Sequence, residues 1–114
     1  MYDGKNRDCV VKSGELIVWK VCKTDAILVY VKLLVPKLSK RKNIDDIGTC
    51  IIEHATVLEI TDKNDKKYES AINYMHHTKI NYIVGKTVTA KNYDVDGGGI
   101  YVYLYKEECN TYIL

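Results

Sequence analysis

The residues of this chain that could do chemistry are scattered, and their spacing limits their use. Three histidines (His54, His76, His77) and four cysteines (Cys9, Cys22, Cys50, Cys109) hold enough donors for zinc. A structural zinc site wants closely spaced ligand pairs, and no C-x-x-C occurs here. Adjacent strand side chains point to opposite faces, so His76 and His77 do not chelate one ion together. Cys50 and His54 are a thiol and a base four residues apart. In a strand they share a face but sit about 13 Å apart, too far for a nucleophile and its base. Asn92, Asp94 and Asp96 alternate before Gly97, as in the first half of a calcium loop. Position 12 of that loop should be a bidentate carboxylate and is Tyr103. Gly97, Gly98 and Gly99 precede a strand rather than a helix, so they do not form a phosphate loop. A tight glycine turn fits them better. These readings assign no catalytic, cofactor or metal residue and make the chain non-catalytic.

Two constellations suit binding. Lys37, Lys40, Arg41 and Lys42 cluster in one polar stretch and could grip phosphate. Asp45 and Asp46 follow and weaken that field. The cluster is either a nucleic-acid contact or a solvated loop. Tyr101, Tyr103 and Tyr105 alternate and form one outward stripe, with Ile100, Val102 and Leu104 on the other face. Tyrosine is amphipathic and loses little entropy, so the stripe suits a partner surface, or equally a half-buried edge of the core.

Strands must position these residues. Residues 15–22 (ELIVWKVC) are apolar on both faces and read as a central strand. Residues 26–35 form a second strand, with Ile27, Val29, Val31, Leu33 and Val35 inward and Tyr30 and Lys32 outward. A three-residue turn, 23–25, makes the two a hairpin, with Trp19 and Val29 substantially buried. Pro36 ends the second strand, and 36–48 is a long polar loop. Residues 50–61 are β-prone; 62–66 turn the chain, and 67–72 return as a strand. Residues 73–78 suit no single element. Short strands follow at 79–84, 87–90 and 100–104, with a loop at 92–99 and one or two helical turns within 106–112. The fold class is mainly β: a small antiparallel sheet or roll with a short C-terminal helix. Residues 1–14 form a loose arm and 15–114 one compact domain.

Composition agrees. A chain of 114 residues buries about two-thirds of its unfolded surface, enough for one core. With 46% hydrophobic and 28% charged residues it is globular rather than disordered. The net charge of +2 is too even for a general nucleic-acid binder. The charged start, MYDGK, has no apolar signal core, and the longest apolar run, 26–36, is broken by Lys32. The expectation is an intracellular protein with free thiols.

The order of several segments carries a resemblance. Val31-Lys32-Leu33-Leu34-Val35-Pro36 precedes Ser39-Lys40-Arg41, and Ala55-Thr56-Val57-Leu58-Glu59-Ile60 follows. Tyr82-Ile83-Val84-Gly85-Lys86-Thr87-Val88, Asn92-Tyr93-Asp94-Val95-Asp96, Gly98-Gly99-Ile100-Tyr101-Val102-Tyr103 and Lys106-Glu107-Glu108 complete it. Together they resemble a domain of unknown function from giant-virus and phage proteins, often found beside pentapeptide repeats. The resemblance spans roughly residues 17–112. The family usually carries Cys and His around the last strand, where this chain has Gly97 and Tyr101, so no metal or thiol role carries over. A longer basic and aromatic insertion is here shortened to glycines. The resemblance implies a viral origin, with the protein in the host cytoplasm or the virion. The rich use of Lys, Asn, Ile and Tyr suits an AT-rich viral genome. The resulting expectation is a self-associating interaction or structural module, a homodimer open to viral or host protein partners. A nucleic-acid accessory role through 37–42 is the alternative.

Overall fold

The computed structural model describes residues 14–43, 49–74, 79–95 and 98–113. The fold grows from its longest hairpin. β1 (Leu16–Thr24) and β2 (Ile27–Val35) pair antiparallel along their whole length, from Leu16↔Val35 to Thr24↔Ile27. The connection is a two-residue turn, Asp25-Ala26, rather than the anticipated three. Asp25 takes a left-handed φ of 51°, which aspartate tolerates better than most residues. Alternation buries Val29, Val31, Leu33 and Val35 completely on one face of β2.

β2 passes its other edge to β5 (His54–Thr61), and β5 to β8 (Thr87–Thr89). The β2–β5 register slips between Lys32 and Leu33, because Glu59 faces Lys32 while Val57 faces Leu33. Leu58 is the extra residue of this bulge. The far edge of β1 is shared between two strands. β9 (Ile100–Tyr103) meets it at Trp19↔Tyr103, and β6 (Ser70–Asn73) meets it at Cys22↔Asn73 and Lys23↔Ile72. β9 continues to β4 (Thr49–Ile52) and β3 (Arg41–Asn43), and β6 pairs with β7 (Asn81–Ile83). All pairings are antiparallel, and the chain ends in a 3-10 turn (Lys106–Cys109) and α1 (Asn110–Ile113). The fold is therefore a small mainly β globule with one short terminal helix.

The main core gathers Val18, Val31, Leu33, Ile52, Val57, Ile60, Tyr82, Ile100 and Val102 between the curled sheet faces. A second cluster lies on the outer face of the β1–β2 hairpin. There Val21 and Tyr30 are covered by Cys109 and Ile113, with Trp19, Leu28, Tyr103 and Tyr112 at its margin. This cover changes the surroundings of two outer-face aromatics. Tyr30 lies on the outward face as expected but is buried there, and its hydroxyl donates to Asn110 Oδ1 at 2.5 Å. Trp19 is substantially buried at the margin of this cluster, as expected, with the ammonium groups of Lys32 and Lys106 5.6 Å and 5.3 Å from its ring centroid.

Two further boundaries move. The expected loop 36–48 contains β3, which pairs with β4. The single β-prone stretch 50–61 breaks at Glu53 into β4 and β5, whose partners lie on opposite sides of the sheet. Turn 62–66 stands where expected. Asp62 Oδ1 accepts from the N–H groups of Asn64 and Lys66, and Oδ2 accepts from the Tyr68 hydroxyl. Desolvation works against that carboxylate, but these hydrogen bonds hold it below the usual range. The expected 1–13 portion of the N-terminal arm and most of the ambiguous 73–78 stretch lie outside the described residues.

Leu33 is fully buried at the centre of β2. Leu33→Ala should lower the unfolding free energy by about 2–5 kcal/mol, read from urea denaturation. A change within 0.5 kcal/mol would remove β2 from the core.

Candidate interaction surfaces

The alternating tyrosines are not one outward stripe. Tyr101, Tyr103 and Tyr105 are each half-buried. Tyr101 and Tyr105 pack against the main core, whereas Tyr103 joins the second cluster. β9 stops at Tyr103, and Tyr105 already precedes the 3-10 turn. The Tyr103 ring stacks on Tyr112 at 6.5 Å, and its hydroxyl donates to the Tyr112 hydroxyl at 3.3 Å. Burial and that hydrogen bond push the Tyr103 hydroxyl well above its ordinary value. The alternation was legible in sequence, but the docking of the terminal helix over one ring was not.

The four cations of the basic cluster diverge. Lys37 and Lys40 are exposed, and Lys40 Nζ lies 4.0 Å from Asp94 Oδ2. The Arg41 guanidinium donates to the carbonyls of Gly14 and Pro36 at 3.1 and 3.0 Å. The Lys42 ammonium sits 4.8 Å from the Tyr93 ring centroid and 3.5 Å from the Tyr93 carbonyl. Arg41 and Lys42 thus tie the edge strand β3 to neighbouring segments. Lysines beside β3 also discourage strand addition at that edge.

The calcium-like segment behaves as a turn over its described part. Asn92 Oδ1 accepts from the Gly99 N–H at 3.3 Å. A Cβ at Gly98 would lie 1.8 Å from the Asn92 carbonyl oxygen, and Gly99 has a φ of 92°. Glycine is therefore required at both positions. Asp96 and Gly97 lie outside the described residues, as do His76 and His77. His54 is half-buried, its Nδ1 3.3 Å from Glu53 Oε1. Among the described residues no three His, Cys, Asp or Glu side chains gather as a metal site.

Sequence reasoning missed a buried polar group at the split edge of β1. Lys20 is only 6% exposed, and its ammonium donates to the Tyr101 carbonyl at 2.9 Å. It lies between the point where β9 leaves β1 and the point where β6 joins it. Burial lowers its pKa, opposed by the nearby Cys22 and Cys109. Cys22, Cys50 and Cys109 are buried thiols. Burial pushes Cys22 and Cys109 up to about 12. They are protonated at neutral pH and unsuited to nucleophilic work. The Tyr82 hydroxyl is buried in the main core with no hydrogen-bond partner among the described residues. A strand pattern marks such residues as inward but cannot say which polar atoms meet.

Two open surfaces among the described residues bear on binding. The first is the part of the β1–β2–β5 outer face beyond the terminal helix. Ile17, Leu34 and Leu58 lie there, with Ile17 37% and Leu58 40% exposed. Ile17 pairs across strands with Leu34, and Lys32 with Glu59. The second is a groove of about 520 Å³ between β7 and β8.

These features describe a small antiparallel β module whose open surfaces are sheet faces and strand edges. Residues 6–109 match the model of a "Family of unknown function (DUF5758)", and the chain belongs to that family. No curated protein and no solved structure matches it.

In native protein at pH 8, a thiol reagent should leave Cys22, Cys50 and Cys109 unmodified for as long as the fold persists. All four cysteines should react in denaturant without reductant; fewer would indicate a disulfide. The folded values of Cys22 and Cys109 exceed the ordinary 9.0. The stability they contribute is whole below that pH and is lost as pH rises toward 12. The stability gap between the native protein and Cys109→Ala should therefore narrow over that range; a constant gap would contradict the burial of the thiol. Tyr82→Phe removes an unpaired buried hydroxyl and should raise stability by about 1 kcal/mol. A loss of similar size would reveal a hydrogen-bond partner.

Proposed function

We propose that this chain is a non-catalytic interaction or structural module that self-associates as a homodimer. The observation that carries the reading is the apolar outer face of β1–β2–β5 that the described residues leave partly exposed, with Ile17, Leu34 and Leu58 on it. A second copy of the chain fits this face best. Lys32 and Glu59 sit side by side across β2 and β5, so the patch carries both signs of charge. A two-fold axis through it sets each lysine against a glutamate of the other copy. The near-even net charge adds little repulsion.

A non-catalytic role is supported by the high pKa of Cys22 and Cys109 and by the burial of Lys20. Viral origin, a link to giant viruses or phage, and placement in the host cytoplasm or virion belong to the same proposal. The Lys, Asn, Ile and Tyr usage supports them. Viral or host proteins are further candidate partners. A nucleic-acid role for Lys37, Lys40, Arg41 and Lys42 has weaker support, because Arg41 and Lys42 are engaged with neighbouring backbone.

Sedimentation equilibrium over a hundredfold dilution tests the proposal. The expected result is a monomer–dimer equilibrium in the micromolar range, shifted to monomer by about tenfold or more in Leu58→Asp. Lys40→Ala with Arg41→Ala should leave it unchanged. A monomer throughout, or a dimer indifferent to Leu58→Asp, would overturn the assignment of this face.

A further inference from the structure

We infer that the groove between β7 and β8 is an acceptor site for an extended acidic peptide strand of a partner protein. The inference rests on reading the chain as an interaction module but uses a different surface from the dimer face.

The argument begins with backbone direction. In a strand, the N–H and C=O of one residue point to one side, and those of the next point to the other. The Ile80 carbonyl accepts from the Asn73 N–H, and the Val84 N–H donates to Glu69, so 80, 82 and 84 face β6. Asn81 and Ile83 therefore turn their backbone groups away from β6. On β8, the Ala90 N–H donates to the Glu53 carbonyl, and Val88 stands opposite Ala55. Residues 88 and 90 face β5, so Thr87 and Thr89 turn theirs away.

Among the described residues β7 pairs only with β6, and β8 only with β5. The two strands are joined by a tight turn in which the Lys86 N–H donates to the Ile83 carbonyl at 2.9 Å. Beyond that turn they separate instead of continuing as a hairpin. Two half-made ladders thus border one groove, the arrangement that accepts an added strand.

The lining selects the occupant. Among the described residues it comprises Ile80, Asn81, Thr87, Val88 and Thr89, flanked by Lys79, Lys91 and Asn92, with two ammonium groups and no carboxylate. Val88 and Tyr82 turn inward to the core, while Asn81, Thr87 and Thr89 are exposed. An inserted strand would present alternate side chains to the core and to solvent. The matching chemistry is apolar at one alternation and acidic at the other, opposite Lys79 and Lys91. A second copy fits less well, because β3 and β8, the terminal strands of the sheet, are flanked by lysines.

The probe is a blocked peptide about seven residues long that alternates glutamate and valine, titrated into the full chain and read by fluorescence anisotropy and amide hydrogen exchange. Saturable binding is expected, with exchange slowed at Asn81, Thr87 and Thr89. A lysine–valine counterpart should not bind. Thr89→Pro removes an outward N–H while sparing the bonds to β5, and should weaken binding about fivefold or more. Lys79→Glu with Lys91→Glu lies wholly on the surface and should weaken it about tenfold. No saturable binding, or binding indifferent to both variants, overturns the inference. A Thr89→Pro protein that loses its dimer would overturn it in favour of a second copy as occupant. Sedimentation of Leu58→Asp tests the dimer face separately, so the two readings can fail independently.

Discussion

The arrangement depends on how β1 divides one edge between two partners. β2 occupies the whole of one side. On the other, β9 holds Trp19 and β6 holds Cys22 and Lys23. β9 then departs toward β4, which leaves the Tyr101 carbonyl needing a donor near β1. Lys20 reaches across and supplies it. A buried ammonium is costly, and its lowered pKa reflects that cost. A long donor is nevertheless what the gap requires. From this division come both wings of the molecule: β9–β4–β3, which carries the basic strand, and β6–β7, which borders the groove.

The same division explains the open surfaces. Because β6 and β7 curl away from one side of β1, and β5 and β8 from β2, the two ends approach without pairing. The groove is the residue of incomplete closure. The terminal 3-10 turn and α1 together cover only part of the hairpin's outer face. The segment is long enough to bury Val21 and Tyr30 but leaves Ile17 and Leu58 partly in solvent. Both candidate surfaces thus result from elements that stop short.

Much of the fold was legible in sequence because strand alternation is a local signal. Four of the five residues read as inward on β2, Val29, Val31, Leu33 and Val35, are buried, while Ile27 at the hairpin end is 40% exposed; the terminal helical turn could also be read directly. Tyr30 could not, since its burial depends on a helix eighty residues away. The break at Glu53 escaped for a similar reason, as β4 and β5 are separated by their partners and not by a turn signal. The tyrosine alternation was visible, but its three rings answer to different clusters. The basic cluster was visible too, whereas the carbonyls that hold Arg41 belong to Gly14 and Pro36. Lys20, Tyr82 and the facing edges of β7 and β8 carry no local signature at all.

The measurement closest to the central claim is a set of interstrand nuclear Overhauser contacts along β1 in the isotope-labelled protein. The account predicts contacts from Trp19 to Tyr103 and from Cys22 to Asn73 on the same edge, with the Lys20 side chain close to Tyr101. An unbroken ladder from β9 along the whole of β1, with β6 elsewhere, would contradict it.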